Sequence, residues 1–339
     1  MFRTYDGRVS LTSDTWTSTY GEPFVCVTAH WIDDDWLLQK RIICFEAMEE
    51  AHNGFNINHC EEYGLRKKVI ALDTPTRWNS TYKLLHDTIA YRDVLTDMYN
   101  QSRATNGQFI TNDHWSLAKI VHDVLETFDN ATHIFSYVYE PNIHTVILEC
   151  IKIICTIKQT SLANPGAAVK RLLDNLKVKW CAYFTEFPPI YAIAAIFDPG
   201  VKLEGLTNLL TFYYQQLDVQ FDVPYYVNNC KRILERLCED YGAVIQPQPI
   251  GSSTGASRFG ILWTRIGEYL SYQHETEENF HIIKWWKNHS SKFPVLARIA
   301  KDILAIPAST IASESAFSAG RRVLDEKRSR LSSESIEMC

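Results

Sequence analysis

Strand-like sequence is confined to the first fifty residues, and the strongly patterned segments beyond Trp78 carry the period of a helix. VSLTSDTW (9–16) opens with alternation, Val9 and Leu11 on one side and Ser10 and Thr12 on the other. FVCVTAHWI (24–32) is rich in β-branched and aromatic residues. The turn-forming Asp33-Asp34-Asp35 and then WLLQKRIICFE (36–46) follow. Three runs with such short connections predict an antiparallel meander whose first strand ends at an aspartate, Asp14.

Residues 47–75 are irregular and polar. In 115–128 the apolar positions are Leu117, Ile120, Val121, Val124, Leu125 and Phe128, one continuous helical stripe. VILECIKIICTI (146–157) predicts a buried helix, and 169–184 another. PPIYAIAAIFDPGVKL (188–203) brackets a short apolar run with prolines. IQPQPIGSSTGASR (245–258) reads as a flexible linker. In PVLARIAKDILAIP (294–307), Pro294 suits the first helical position. Leu296, Ile299, Ile303 and Ile306 form the stripe, and Pro307 stops it.

Composition removes several function classes. A hydrophobic share of 46% with 12% aromatics supports a real core and excludes wholesale disorder. The net charge of −6 argues against a free-standing nucleic-acid binder, but leaves room for a local basic patch. Nine scattered cysteines without a CxxC pair fit reduced thiols in a cytosolic or nuclear protein. No signal core and no run of 18 apolar residues is present, so neither secretion nor membrane insertion is expected. A phosphate-binding glycine loop, HExxH and zinc-finger spacing are all absent from the sequence, and the eleven histidines do not cluster with cysteines.

Four segments, in order, carry a resemblance. They are LTSDTWTS (11–18), LDTPTRWNSTYKLL (72–85), AIFDPGVKL (195–203) and the long run from Asn279 to Glu337 that contains KWWKNHSSKFPVLARIAKDILAIPASTIASESAFS. The chain resembles hAT-superfamily DNA transposases of the plant sleeper type. The resemblance implies an α+β protein. Its RNase-H-like core of antiparallel strands, incomplete here, is interrupted by a large all-helical insertion and closed by a C-terminal helical dimerisation block. The corresponding boundaries are 1–75, 76–244, a linker at 245–258, and 259–339.

Such a core carries three carboxylates holding two divalent metals, Mg²⁺ or Mn²⁺, because in-line attack at a phosphodiester needs one metal at each of the attacking and leaving oxygens. By resemblance the first carboxylate is Asp14 and the third Glu314, which would be the metal ligands. Read from the residues alone, Asp14 can equally bond its own turn, and Glu314, between Ser313 and Ser315, can simply be solvated. The second carboxylate is missing. In the family a strand ending in Asp-Asn-Ala and a later Cys-x-x-His precede PTRWNS. Here Leu65 to Asp73 runs straight into that motif. Asp73 is either an ordinary acid before PTRWNS or a stand-in for the lost ligand. With the set broken, the expectation is a degenerate transposase without efficient strand transfer. The alternative is an active metal-dependent nuclease using Asp14 and Glu314.

Trp78 has a family role in stacking a base near the active site; it can equally anchor a core at a helix start. Arg77 touches phosphate or pairs with a neighbouring acid. Arg321 and Arg322, just after Glu314, read as phosphate contacts or as a solvated face. Intact relatives begin with a BED-type zinc finger. Here the first strand starts about nine residues after Met1, so weakened DNA binding is expected. In the C-terminal block Trp285, Trp286, Phe293, Leu296 and Phe317 are the dimerisation candidates, because buried aromatics dominate interface energetics. Their alternative is an ordinary core. The expected partners are a second copy or a related hAT protein, in the nucleus, with no membrane.

Overall fold

A computed structural model of the chain describes residues 7–17, 23–47, 78–101, 109–137, 139–245, 258–272 and 280–309. In chain order the strands are β1 (Ser10–Thr17), β2 (Pro23–Ile32) and β3 (Leu38–Ala47). The helices that follow are α1 (Trp78–Ile89), α2 (Arg92–Gln101), α3 (Asn112–Phe135), α4 (Val146–Ala163), α5 (Ala167–Phe184) and α6 (Pro189–Ile196). They continue with α7 (Lys202–Leu217), α8 (Val223–Ile245), α9 (Arg258–Ser271), α10 (Ile282–His289) and α11 (Pro294–Leu304). The described chain is mostly helical, with one small antiparallel sheet. None of its helices is long and apolar enough to cross a membrane.

Contacts divide the chain into two compact units, and both are discontinuous in sequence. One comprises Met1–His52, Ile134–Ile151 and Phe184–Cys339; the other comprises Asn53–His133 and Lys152–Tyr183. This division cuts across the boundaries read from sequence, because α6, α7 and α8 belong with the sheet and with α9 to α11.

In the first unit the sheet order is β1-β2-β3, with Ser10 opposite His30, Ile32 opposite Leu38, and a bulge between Val27 and Thr28. β2 is the central strand, and it is buried on both faces: Cys26, Thr28, His30 and Ile32 point one way, Ala29 and Trp31 the other. α11 packs on it. On β1 the inward partner is polar, since the Thr12 hydroxyl lies 3.2 Å from His30 Nε2, while Leu11 is exposed. Asp14 is not at the strand end. It sits inside β1 opposite Cys26, and the strand continues to Thr17.

The core of this unit is α6. Pro189 starts it, where a missing N–H costs nothing. Ala192 to Ile196 are all buried, as an apolar helix of eight residues must be. Backbone carbonyls in so dry a place need donors. The hydroxyls of Tyr213, Tyr214 and Tyr226 donate to the carbonyls of Phe184, Thr185 and Phe187 at 2.7, 2.8 and 2.7 Å. At the other end the Tyr269 hydroxyl and Trp286 Nε1 donate to Ile196 and Phe197 at 2.7 and 2.8 Å. Burial raises the Tyr269 hydroxyl far above its ordinary pKa, with Asp198 adding to the effect, so it stays a donor. Each such bond nets about 1 kcal/mol, and losing the donor alone costs about 1–3 kcal/mol.

The second unit is held differently. Phe128 of α3 lies 5.7 Å from the Trp78 ring and 5.7 Å, edge-on, from Trp180. Trp115 Nε1 donates to the Thr96 hydroxyl at 2.7 Å. The Asn100 side chain bonds both the N–H and the carbonyl of Ile110. No side chain of α1 is buried, and Leu162, Val178 and Tyr183 are largely exposed. Of the cysteines, Cys26, Cys150, Cys155, Cys181, Cys230 and Cys238 are free thiols. Burial pushes Cys150 and Cys238 up to about 12, so they are packing residues rather than nucleophiles.

Candidate functional site

The β2–β3 connection builds the most distinctive local geometry in the first unit. Trp36 N–H donates to the Asp33 carbonyl at 3.1 Å, and Asp33 N–H to the Leu37 carbonyl at 3.0 Å. The Asp33 carboxylate closes the loop by accepting from Leu37 N–H and from Gln39 Nε2. This is a tight turn ending in a bulge, and its last position is left-handed. Glycine usually takes that position. Here it is Trp36, with φ of 63°. A bulky residue there costs on the order of 1–3 kcal/mol, so the surroundings must hold it.

Two helices hold it. Lys301 of α11 donates to the Asp33 carbonyl at 2.8 Å and places its ammonium 4.7 Å from the Trp36 ring centroid. Lys287 of α10 donates to the Asp35 carbonyl at 2.9 Å. Burial lowers the Lys301 pKa, against the pull of Asp34 and Asp33. Beside the hairpin opens a cleft of about 790 Å³, lined by Arg8, Trp36, Tyr241, Arg298, Lys301 and Asp302, among others. Asp302 is its anchor. It accepts from Arg8 N–H at 3.0 Å and from the Tyr241 hydroxyl at 2.6 Å. The Arg8 guanidinium lies over the Tyr241 ring at 5.0 Å. Three cations and an indole around one open cleft, offset by the carboxylates of Asp240 and Asp302, leave one net positive charge and a planar ring toward a phosphate and a base.

A second arrangement leads toward the end of the described chain. The buried Asn142 side chain donates to the Phe135 and Tyr137 carbonyls at 3.0 and 3.2 Å, and accepts from Ala308 N–H at 2.9 Å. It fixes where the chain leaves α11.

Trp285, Trp286, Phe293 and Leu296 are all buried within their own unit. Trp286 packs on Phe197 and Tyr269 with centroids at 5.5 and 5.1 Å, and Trp285 lies flat on His289 at 3.9 Å. These four shape α10 and α11 from the inside. Trp78 opens α1, is 39% exposed and touches Phe128. Asp14 is placed by its backbone alone, its side chain lying outside the described residues. Asp73, Arg77, Glu314, Phe317, Arg321, Arg322 and most of the 245–258 linker also lie outside them. Sequence reasoning missed Arg8, Trp36, Arg298 and Lys301, because 265 residues separate Trp36 from Lys301 and no local pattern joins them.

Known families match both ends of the chain. The model of the hAT family C-terminal dimerisation region matches residues 266–339, which include α10 and α11. The ZBED1 RNase-like domain model matches residues 12–99, which include most of the sheet. A Zea mays protein named for the AC transposase is 23% identical over 454 residues, covering 97% of this chain and 56% of its own length. The chain is a hAT-type, transposase-derived protein. The BED domain-containing zinc finger protein RICESLEEPER 2 of Oryza sativa subsp. japonica is 25% identical over 315 residues, 80% of the hAT-type chain and 42% of the relative. DAYSLEEPER of Arabidopsis thaliana, named in the same way, is 21% identical over 442 residues, 98% of the chain and 62% of the relative. The chain thus spans about half the length of the curated relatives it matches. The alignment to the Zea mays protein is longer than the 339-residue chain, so that relative's matched span holds residues with no counterpart here. Within the hAT-type chain, Lys287 and Lys301 of the dimerisation region bond the hairpin of the RNase-like match.

Proposed function

We propose that this chain is a nuclear protein that pairs through its C-terminal hAT region, with a second copy or a related hAT protein, and touches DNA without carrying out strand transfer. The match of residues 266–339 to a dimerisation region carries the reading. Its core aromatics face inward, so the pairing surface is built from the outer faces of α10, α11 and the residues beyond them. β1 to β3 belong to an RNase-H-like core on this reading, supported by the match over 12–99. Asp14 and Glu314 are vestiges of a metal site for Mg²⁺ or Mn²⁺. The uninterrupted run from Leu65 to Asp73 into PTRWNS leaves no room for the second ligand strand. DNA contact falls to the cleft, where Arg8, Arg298 and Lys301 meet phosphate and Trp36 meets a base. Arg77, Trp78, Arg321 and Arg322 supply further contacts.

Light scattering on the full chain tests the pairing, with a dimer mass expected; a folded monomer at micromolar concentration overturns it. A salt titration on mixed-sequence DNA tests the cleft. Arg298→Gln is expected to weaken binding uniformly across sequences and to reduce the salt slope by about 1. Metal-dependent nicking of a hairpin substrate, abolished by Asp14→Ala and by Glu314→Ala, would overturn the inactive reading.

A further inference from the structure

α5 puts its two sides to different uses. At about 100° per residue, Val169, Leu173, Leu176, Trp180 and Phe184 fall on one side of the helix. Leu173 and Trp180 are buried there, and the Trp180 ring meets Phe128 of α3 edge-on at 5.7 Å. A surface helix ordinarily carries polar residues on the side turned away from such a contact. The outer side of α5 is mixed instead. Across an arc of about 140° lie Leu172, Val178, Ala182 and Tyr183, with Arg171 and Lys179 among them, and all six are exposed. Leu172 is 43% exposed, Val178 72% and Tyr183 71%. From Arg171 to Tyr183 this face runs about 18 Å, or about three turns.

The charge around it is just as uneven. Between Lys152 and Tyr183, the second segment of the second unit, the chain carries five lysines, one arginine and one carboxylate, Asp174. That is a net +5 inside a chain whose total is −6. Lys170, Arg171 and Lys179 of α5 are exposed.

We propose that the outer face of α5 is a docking surface for an acidic amphipathic helix of a partner protein. Leu172 and Val178 gain from contact with other apolar side chains and gain nothing from phosphate. A straight face of about three turns matches another helix, whose side chains repeat with the same period and seat between those of α5. The cations select carboxylates, because positive groups set against Arg171 and Lys179 are repelled. Nucleic acid also uses such cations and can stack a base on Tyr183, but it leaves Leu172 and Val178 without a partner. A second copy of α5 would bring the same cations to the same face, so pairing of α5 with itself is disfavoured. The contact is therefore of the helix-on-helix kind. Apolar side chains of the partner lie over Leu172, Val178 and Tyr183, and its carboxylates reach Arg171 and Lys179. The face belongs to a different unit from α10 and α11 and does not depend on the C-terminal pairing.

The probe is a fluorescein-labelled peptide of about 18 residues, about five helical turns, with leucine at i, i+4, i+7 and i+11 and glutamate and alanine elsewhere. One control peptide has the same composition scrambled to remove the stripe, and another has lysine in place of glutamate. Each is titrated with the full chain and followed by anisotropy. Saturable binding of the acidic amphipathic peptide is expected, weakening as salt rises, with neither control binding comparably. Val178→Glu and Arg171→Glu, both at exposed positions, should each weaken it about 10-fold or more. Leu172→Gln keeps the charge and should weaken it about 3- to 10-fold. Unchanged melting temperatures show that these variants are folded. The proposal is overturned if the full chain does not bind the acidic peptide, if the scrambled peptide binds as tightly, or if Val178→Glu and Leu172→Gln leave the affinity unchanged. Mixed-sequence duplex DNA is titrated in parallel. Binding that is lost in Arg171→Glu and untouched by Leu172→Gln, with the acidic peptide unable to compete, makes the face a phosphate contact and overturns the proposal as well.

Discussion

Around α6 the chain buries its aromatic residues and ties their polar atoms to named carbonyls, whereas around α1 it leaves its aromatics half in water. Trp286 is fully buried and donates to Phe197, while Trp78 is 39% exposed and touches a single ring on α3. Both segments are helix-patterned, so periodicity alone does not separate them. The difference is in what each helix lacks. α6 has no charged side chain and encloses Ala192 to Ile196, and the enclosure leaves nearby carbonyls that tyrosine and tryptophan donors from α7, α8, α9 and α10 satisfy. α1 carries Asn79, Ser80, Lys83, His86 and Asp87, so it keeps one face wet and can be held by a few side-chain pairs.

Truncation should separate the two regions most strongly. Trp286→Ala opens a cavity and orphans the Phe197 carbonyl, so a loss of about 3–5 kcal/mol is expected in chemical denaturation. Trp78→Ala should cost only about 1–2 kcal/mol. Equal losses would break the comparison. Acid should act next, on the sheet side. Burial, helped by Lys40, pushes the His30 pKa down from 6.5 to about 4, so the fold holds the ring neutral. The unfolded chain takes up that proton near pH 6.5, so unfolding binds it. The contribution of His30 is therefore full above pH 6.5 and falls as pH drops toward 4, by on the order of 2–3 kcal/mol. His30→Gln should flatten the stability curve across that window, and a curve of unchanged slope would refute it. The smallest effect belongs to Trp36. Glycine at φ of 63° relieves backbone strain but loses the contact with Lys301. Trp36→Gly should shift stability by no more than about 1 kcal/mol, toward stabilising. DNA affinity should fall by about 1–3 kcal/mol. A stability loss above that range would make Trp36 a structural residue only.

Much of the local structure was legible. The stripe from Leu117 to Phe128 lies inside α3, the run 146–157 inside α4, and Pro294 starts α11, which ends at Leu304 ahead of Pro307. The three strands fall within two residues of the runs that predicted them. The site was far less legible. Asp14 was read at a strand end and lies inside β1, because pairing with β2 extends the strand beyond the residue where alternation fades. Trp285, Trp286, Phe293 and Leu296 have the composition of an interface and the burial of a core, and composition cannot tell these apart.

What the sequence determined by itself is the sequence of local states: three strands, then helices, broken at prolines and polar runs. Those follow from contacts within four residues along a helix or across one turn of a hairpin, which a one-dimensional pattern encodes directly. Only the tertiary structure decided which aromatics face inward, that Trp36 takes a left-handed turn under Lys301, and that His86 meets His122. Those pairs are joined through packing between elements 36 to 265 residues apart, and spacing along the chain carries no record of distances across it.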